Sequence, residues 1–271
     1  MPPYAKWIRF IHELSILMPD PVMWSAPSKE LALAESEVHV WRARLDMGPE
    51  IVNRLQATLD DAEQSRAARF YFPRDRDHFI ACRGILRELL GAYLGSAPTS
   101  VEFSYGAYGK PSLRWENARL PIQFNISHSH GICMLAFTLG REIGIDLEPV
   151  QAEFAGDEIA ERYFSARELA ELRSLPAASK AKGFFLCWTR KEAYMKARGL
   201  GLQIPLDSFS VSLTPGNPAI LESADSHRWS LRSFEPAPNF AGAIVEEGRD
   251  CHEVYWDWKP SELSASKNSQ A

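Results

Sequence analysis

Asp146 and Glu148 lie two residues apart, and the later run Trp188-Thr189-Arg190-Lys191-Glu192-Ala193-Tyr194-Met195-Lys196 adds a third acid, Glu192, with Lys196 behind it. In an extended strand, residues two apart point to the same face, so Asp146 and Glu148 project together while Leu147 turns to the core. On a helix Glu192 and Lys196 are one turn apart and share a face. Carboxylates held side by side repel each other unless a cation, a proton or a basic side chain joins them. Three carboxylates from two elements suit magnesium, a hard ion that takes few protein oxygens and keeps positions open for phosphate oxygens and water. Lys196 then reaches the same phosphates. Each pair also has an ordinary reading, Asp146-x-Glu148 as strand-edge surface and Glu192–Lys196 as a helix salt bridge. The combination on its own fits magnesium phosphotransferases and nucleases alike.

A second group of polar residues precedes the acids. Asn125-Ile126-Ser127-His128-Ser129-His130 ends a strand and enters a turn, where Ser127 and His128 suit a phosphate or a ribose hydroxyl. Zinc fits poorly because no further His or Cys cluster accompanies them. A nucleophilic serine fits poorly because neighbours in a strand face opposite ways and no G-x-S-x-G elbow is present. Gly109-Lys110-Pro111 presents Lys110 on a rigid turn. Arg83 sits on a helix whose apolar stripe is buried, so its guanidinium must exit toward a cleft or pair with an acid. Arg66 and Arg69 are expected in water or against Asp60 and Glu63.

These residues need elements to hold them. Alternation predicts strands at 39–45, 101–103, 123–126, 132–138, 143–148, 209–213, 229–232 and 254–258, and the 3.6-residue period predicts helices at 59–72, 74–94, 155–163, 165–174 and 178–198. Gly95 and Gly199 follow the two longest helices as stops, and Ser165-Ala166-Arg167-Glu168 has the spacing of a capping box. Each half thus reads as a charged helix, a longer helix and strands, which hints at two similar α+β lobes with a cleft between them. The chain has 271 residues, 45% hydrophobic and 24% charged, and a net charge of −5. No overall basic field draws it to nucleic acid or an anionic membrane. Its four cysteines, Cys82, Cys133, Cys187 and Cys251, form no C-x-x-C pair and read as buried free thiols of a reducing compartment. Met1–Pro21 carries Lys6 and Arg9 before an apolar stretch, but His12 and Glu13 interrupt it and no cleavage site follows, so neither a signal peptide nor a membrane span is expected.

Taken in order, Gly109-Lys110-Pro111, Phe124-Asn125-Ile126-Ser127-His128-Ser129, Gly144-Ile145-Asp146-Leu147-Glu148, Phe164-Ser165, and the run from Trp188 to Lys196 resemble the Sfp-type 4′-phosphopantetheinyl transferases. Gly199-Leu200-Gly201-Leu202 and Pro205-Leu206-Asp207-Ser208-Phe209 extend the resemblance, which covers residues 39 to 258. It implies an α+β fold of two similar lobes related by a pseudo-twofold. An N-terminal lobe, 22–140, would take the nucleotide end of coenzyme A. A C-terminal lobe, 141–258, would bring metal and base, and a polar tail, 259–271, would be disordered. Carried over by position, Asp146, Glu148 and Glu192 resemble the magnesium ligands and Lys196 the lysine on the pyrophosphate. His128 and Lys110 resemble contacts to the 3′-phosphate end, Ser127 a neighbouring contact, and Arg83 a helix arginine that reaches coenzyme A. Thr189 stands where the family has serine, Glu63 where some members carry lysine, and His78 where some carry a basic contact. The implied reaction moves phosphopantetheine from coenzyme A to a serine of an apo acyl or peptidyl carrier protein, with Glu192 and Lys196 as catalytic residues. The implied protein is a cytoplasmic monomer that binds neither nucleic acid nor membrane. A magnesium-dependent phosphohydrolase or nuclease, or a non-catalytic carrier-binding module, are the rival readings.

Overall fold

A computed structural model describes residues 22–27, 31–106, 108–114, 121–151, 153, 156–201, 204–249 and 251–260. The expectations for Met1–Pro21, for Ala155 and Leu202 and for 261–271 lie outside them. No described helix is long and apolar enough to cross a membrane.

The fold is mixed α+β. In the first half, β1 (Glu37–Arg44) is followed by three helices, α1 (Pro49–Gln56), α2 (Asp61–Ala67) and α3 (Pro73–Leu94). A small hairpin comes next, β2 (Phe103–Tyr105) and β3 (Pro111–Leu113), then β4 (Ile122–Ser129) and β5 (Ile132–Leu139). The second half runs β6 (Ile143–Pro149), α4 (Asp157–Tyr163), α5 (Ala166–Ser174) and α6 (Ala177–Arg198). It ends with β7 (Ser210–Val211), β8 (Leu221–Glu222), β9 (Trp229–Phe234), β10 (Phe240–Glu247) and β11 (His252–Asp257). Two sheets carry the structure, one in the order β11-β1-β5-β4 and one in the order β6-β10-β9. The halves repeat one plan: a 22-residue helix lies against each sheet and ends at a glycine with positive φ, Gly95 after α3 and Gly199 after α6. Only glycine adopts that left-handed cap without strain.

Residue alternation explains how the sheets pack. Trp41, Cys133, Leu135 and Phe137 face α3, where Ile80, Leu86 and Leu89 join them in one core with Leu55 of α1. Their strand neighbours Val38, Val40, Met134 and Ala136 face the other way, against Ile145, Leu147 and Ile244 of the second sheet. The far side of that sheet, Ala243 and Val245, meets Phe184, Cys187, Tyr194 and Ala197 in the core under α6. With both faces covered, β5 is apolar almost throughout rather than alternating.

The structure departs from the sequence-based elements in identifiable places. The helix expected over 59–72 is the shorter α2, started by an Asp60–Glu63 capping box, and α1 was not expected at all. The strand expected at 209–213 shrinks to Ser210–Val211. β10, the centre of the second sheet, was missed because Ala241, Gly242 and Ala243 are poor strand formers; their small size is what the packing demands, since a Cβ on Gly242 would lie 2.9 Å from the Phe234 ring. The last strand, read with the second lobe, pairs in parallel with β1 and so belongs to the first sheet.

Two expected outcomes follow from this packing. A Cβ on Gly144 of β6 would lie 2.0 Å from the Ala193 carbonyl oxygen and 2.3 Å from the Ala197 amide of α6. Gly144→Ala is therefore expected to cost about 3 kcal/mol or more in urea unfolding, and a cost below about 1 kcal/mol would contradict the close contact. Glu246 on β10 is 1% exposed, with only the Cys251 thiol as a hydrogen-bonding side chain. Burial first, then the charge of Glu253, raise its pKa to about 7, against the pull of Arg141 and Arg232. A carboxyl whose folded pKa lies above its unfolded value favours the folded state at low pH, and that advantage is lost as pH rises from about 4.5 to about 7. Glu246→Gln should therefore stabilise the protein at pH 8 by on the order of 3 kcal/mol relative to its effect at pH 4. Parallel stability curves for the two proteins would contradict this.

Candidate active site

The edges of the two sheets, β4 and β6, lie side by side in the same direction and are joined by side chains. Asn125 Oδ1 accepts the Ile145 amide at 2.9 Å, Ser127 Oγ donates to Asp146 Oδ1 at 2.8 Å, and Ser129 Oγ donates to Glu148 Oε2 at 2.7 Å. Two serines two residues apart thus serve two acids two residues apart, as strand periodicity requires. Leu147 points away into the core between the sheets. The sequence reading gave no role to Asn125 or Ser129; the repeat of the period across Ser127-x-Ser129 and Asp146-x-Glu148 was the signal available.

α6 brings the other two functional side chains. It rests on Gly144, and Lys196 Nζ reaches Asp146 Oδ1 at 2.7 Å, Ser127 Oγ at 2.9 Å and the Ile145 carbonyl at 3.3 Å. The helix salt bridge between Lys196 and Glu192 considered from sequence does not form; Lys196 pairs with Asp146 instead. Glu192 receives no hydrogen bond from the described residues and feels the charges of Asp146, Lys196 and Glu148.

The rotation of α6 is set by the residues between. Lys191 is fully buried, pairs with Glu168 at 2.8 Å, and donates to the carbonyls of Leu206 and Phe209 at 2.7 and 2.8 Å. Glu168 accepts the amides of Ser165 and Val211, both at 2.7 Å. Arg190 holds Ser233 Oγ at 2.8 Å and Ser212 Oγ at 3.0 Å, and burial lowers its pKa to about 10. With Lys191 fixed inside, Glu192 comes round by about 100° toward β6. Trp188 packs on Tyr163 and Phe184 in the core under α6.

The electrostatics are those of too many acids for one lysine. Burial raises the pKa of Glu148, Ser129 opposes this, and Asp146 adds to it. Burial also raises that of Glu192, with Asp146 and Glu148 adding repulsion against the help of Lys196. Asp146 is 4% exposed, and its Oδ2 is buried without a partner. Orphaned and mutually repelling carboxylate oxygens are the donor set a hard dication takes. No three His, Cys, Asp or Glu side chains among the described residues are gathered into a metal cage, and Lys196 pairs with Asp146. His128 is exposed, and its pKa is lowered by loss of hydration and then by repulsion from Lys196, His78 and Arg66. Lys196 and Arg66 thus put positive charge near His128, a setting suited to an anion.

Two residues that the resemblance sets at the nucleotide, Arg83 and Lys110, also make contacts within the protein. Arg83 takes the second of its two sequence options and pairs with an acid: Nε donates to Glu63 Oε1 at 2.8 Å and Nη2 to Tyr105 Oη at 3.0 Å, with its guanidinium 4.5 Å over the Phe103 ring. Glu63 also pairs with Arg87, which holds Asp60 as well; Arg66 and Arg69 are exposed to water, the first of the two options expected for them. Lys110 Nζ is bonded to Glu142 Oε2, the Ile143 carbonyl and the Ala197 carbonyl.

Removing one half of a fully buried pair strands the other charge. Lys191→Met is expected to cost about 3–5 kcal/mol in denaturant unfolding, and a loss under about 1 kcal/mol would show the pair to be dispensable.

Comparison with known proteins places the chain. Residues 142–245 match the 4′-phosphopantetheinyl transferase superfamily, and residues 49–139 match the 4′-phosphopantetheinyl transferase N-terminal family. The 4′-phosphopantetheinyl transferase HetI of Nostoc sp. is 41% identical over 235 residues, 87% of this chain and 98% of that one. The 4′-phosphopantetheinyl transferase Sfp of Bacillus subtilis is 30% identical over 193 residues, 70% of this chain and 83% of that one. A solved holo-(acyl-carrier-protein) synthase from Bacillus anthracis in complex with CoA (3′,5′-ADP) overlaps in part, at a TM-score of 0.32 and 26% identity over 39% of this chain and 94% of that one. The chain belongs to the Sfp-type 4′-phosphopantetheinyl transferases, enzymes that move phosphopantetheine onto carrier proteins.

Proposed function

We propose that this chain transfers the 4′-phosphopantetheine arm of coenzyme A to a serine of an apo acyl or peptidyl carrier protein, releasing adenosine 3′,5′-bisphosphate, with magnesium held by Asp146, Glu148 and Glu192. The observation that carries the assignment is the buried, unpartnered Oδ2 of Asp146 beside Glu192, which receives no hydrogen bond from the described residues. Bound magnesium would neutralise charge on the phosphate oxygens.

The chain's own residues supply the remaining chemistry. The carrier serine oxygen forms a bond to the β-phosphorus, and the bond from that phosphorus to the oxygen shared with the α-phosphate breaks. The electron pair leaves with the adenosine bisphosphate, and the serine proton passes to Glu192, directly or through water. Lys196, already beside Asp146, meets the leaving phosphate and offsets its growing charge. Ser127 orients both Asp146 and Lys196. His128, with the charge of Arg66 nearby, receives the 3′-phosphate end. In this reading 22–140 serves the nucleotide and 141–258 the metal and base, with β11 returning to the first sheet.

Mixing the protein with an apo carrier protein, coenzyme A and magnesium and weighing the carrier tests the proposal. One added phosphopantetheine is the expected result, and no addition to any of several acyl and peptidyl carriers would defeat it. Asp146→Asn and Glu192→Gln should each lower kcat by about a hundredfold or more. Phosphoester cleavage without coenzyme A would point instead to a hydrolase built on the same acids.

A further inference from the structure

Cys82 of α3 and Cys133 of β5 meet in the core between that helix and the first sheet, their sulfurs 2.9 Å apart across 51 positions of chain. Both are buried, 3% and 0% exposed. Among the described residues each thiol has the other as its only hydrogen-bond partner. Sulfurs this close suit either a shared metal ion or a bond to each other. A metal does not fit. Two thiolates on a tetrahedral zinc stand about 3.7 Å apart when each zinc–sulfur bond is about 2.3 Å, and no three His, Cys, Asp or Glu side chains among the described residues could hold an ion. A disulfide bond is about 2.05 Å long, so the sulfurs need approach by only about 0.9 Å to make one. We propose that Cys82 and Cys133 are a modification site, a dithiol that a peroxide converts to a disulfide stapling α3 to β5.

The choice of partner is unambiguous. Cys187 lies in the core under α6 and Cys251 in the core between the sheets, so neither competes for this pair. The step balances with hydrogen peroxide as oxidant. One sulfur, as thiolate, attacks a peroxide oxygen, the O–O bond breaks, and water leaves behind a sulfenic acid. The second thiolate attacks that sulfur, the S–O bond breaks, and the hydroxyl departs as a second water. Two electrons and two protons have then passed from the thiols to the peroxide. Burial first, then Cys82 beside it, push the Cys133 thiol well above its ordinary range, and the thiolate is the form that reacts. Oxidation is therefore slow, and in a reducing compartment the dithiol persists. The bond closes a span that contains the β2–β3 hairpin and all of β4, the strand of Ser127 and His128. A cross-link over so long a span restricts the unfolded chain and so favours the folded one. None of this depends on the function proposed above.

The test incubates the folded, full-length protein overnight with hydrogen peroxide at mildly alkaline pH, then alkylates it in denaturant and maps its peptides by mass spectrometry. Free thiols should fall from four to two, with the Cys82 and Cys133 peptides joined, and dithiothreitol should restore all four. The oxidised protein should melt about 5 °C or more above the reduced one, and dithiothreitol should return its Tm to the starting value, which separates the staple from irreversible oxidation elsewhere. Cys82→Ala should show no such reversible shift. If that variant does not fold, the double variant Cys187→Ala, Cys251→Ala keeps the pair and should lose both of its remaining thiols on oxidation. Four alkylated cysteines after exposure would overturn the proposal, as would a link from either residue to Cys187 or Cys251, or passage of either on to a sulfinic acid. An oxidised protein that carries the link but melts no higher than the reduced one would overturn the staple.

Discussion

The Ala193 carbonyl and the Ala197 amide of α6 occupy the space where a side chain on residue 144 of β6 would begin. That one close crossing decides much of what surrounds it. It brings the helix within reach of the strand, so that Lys196 can lie on Asp146, and it leaves Glu192 on the flank that faces the acids of β6. The rest of α6 is arranged around the same contact. Lys191 and Arg190 are turned into the protein and fixed on Glu168, Ser212 and Ser233, which sets the helix rotation. Lys110 sits at its end.

Around this crossing the sheets meet edge to edge without a backbone ladder. Asn125, Ser127 and Ser129 of β4 bond to β6 with side chains, so the seam between the two sheets is polar. The charge at that seam is unbalanced. Three carboxylates share one ammonium, and the two glutamates have raised pKa values by burial and by their neighbours' charges. A protein keeps such a cluster at a cost in stability when something outside the chain completes it.

The sequence showed what depends on local period and end signals. The long helices and their glycine stops, the β4–β5–β6 run, the shared face of Asp146 and Glu148, and the presence of Glu192 and Lys196 one turn apart were all legible, because each rests on residues a few positions apart. What it did not show depends on distant partners. Nothing near Arg83 marks Glu63 and Tyr105 as its acceptors, and nothing near Lys110 marks Glu142 and Ala197. The pairing of β11 with β1 joins the two ends of the described chain. β10 was hidden because close packing against α6 and Phe234 selects small residues that propensity reads as poor strand. Lys191 and Glu192 are adjacent in sequence, yet one serves the core and the other the site, a division set by helix rotation rather than residue type.

The central proposal is that Asp146, Glu148 and Glu192 hold a dication which, with coenzyme A, completes the seam. Calorimetric titration of coenzyme A into the protein with and without magnesium tests it most directly. The account expects magnesium to tighten coenzyme A binding in the wild type and to have no such effect in Asp146→Asn or Glu192→Gln. Equal affinity with and without magnesium in the wild type would contradict it.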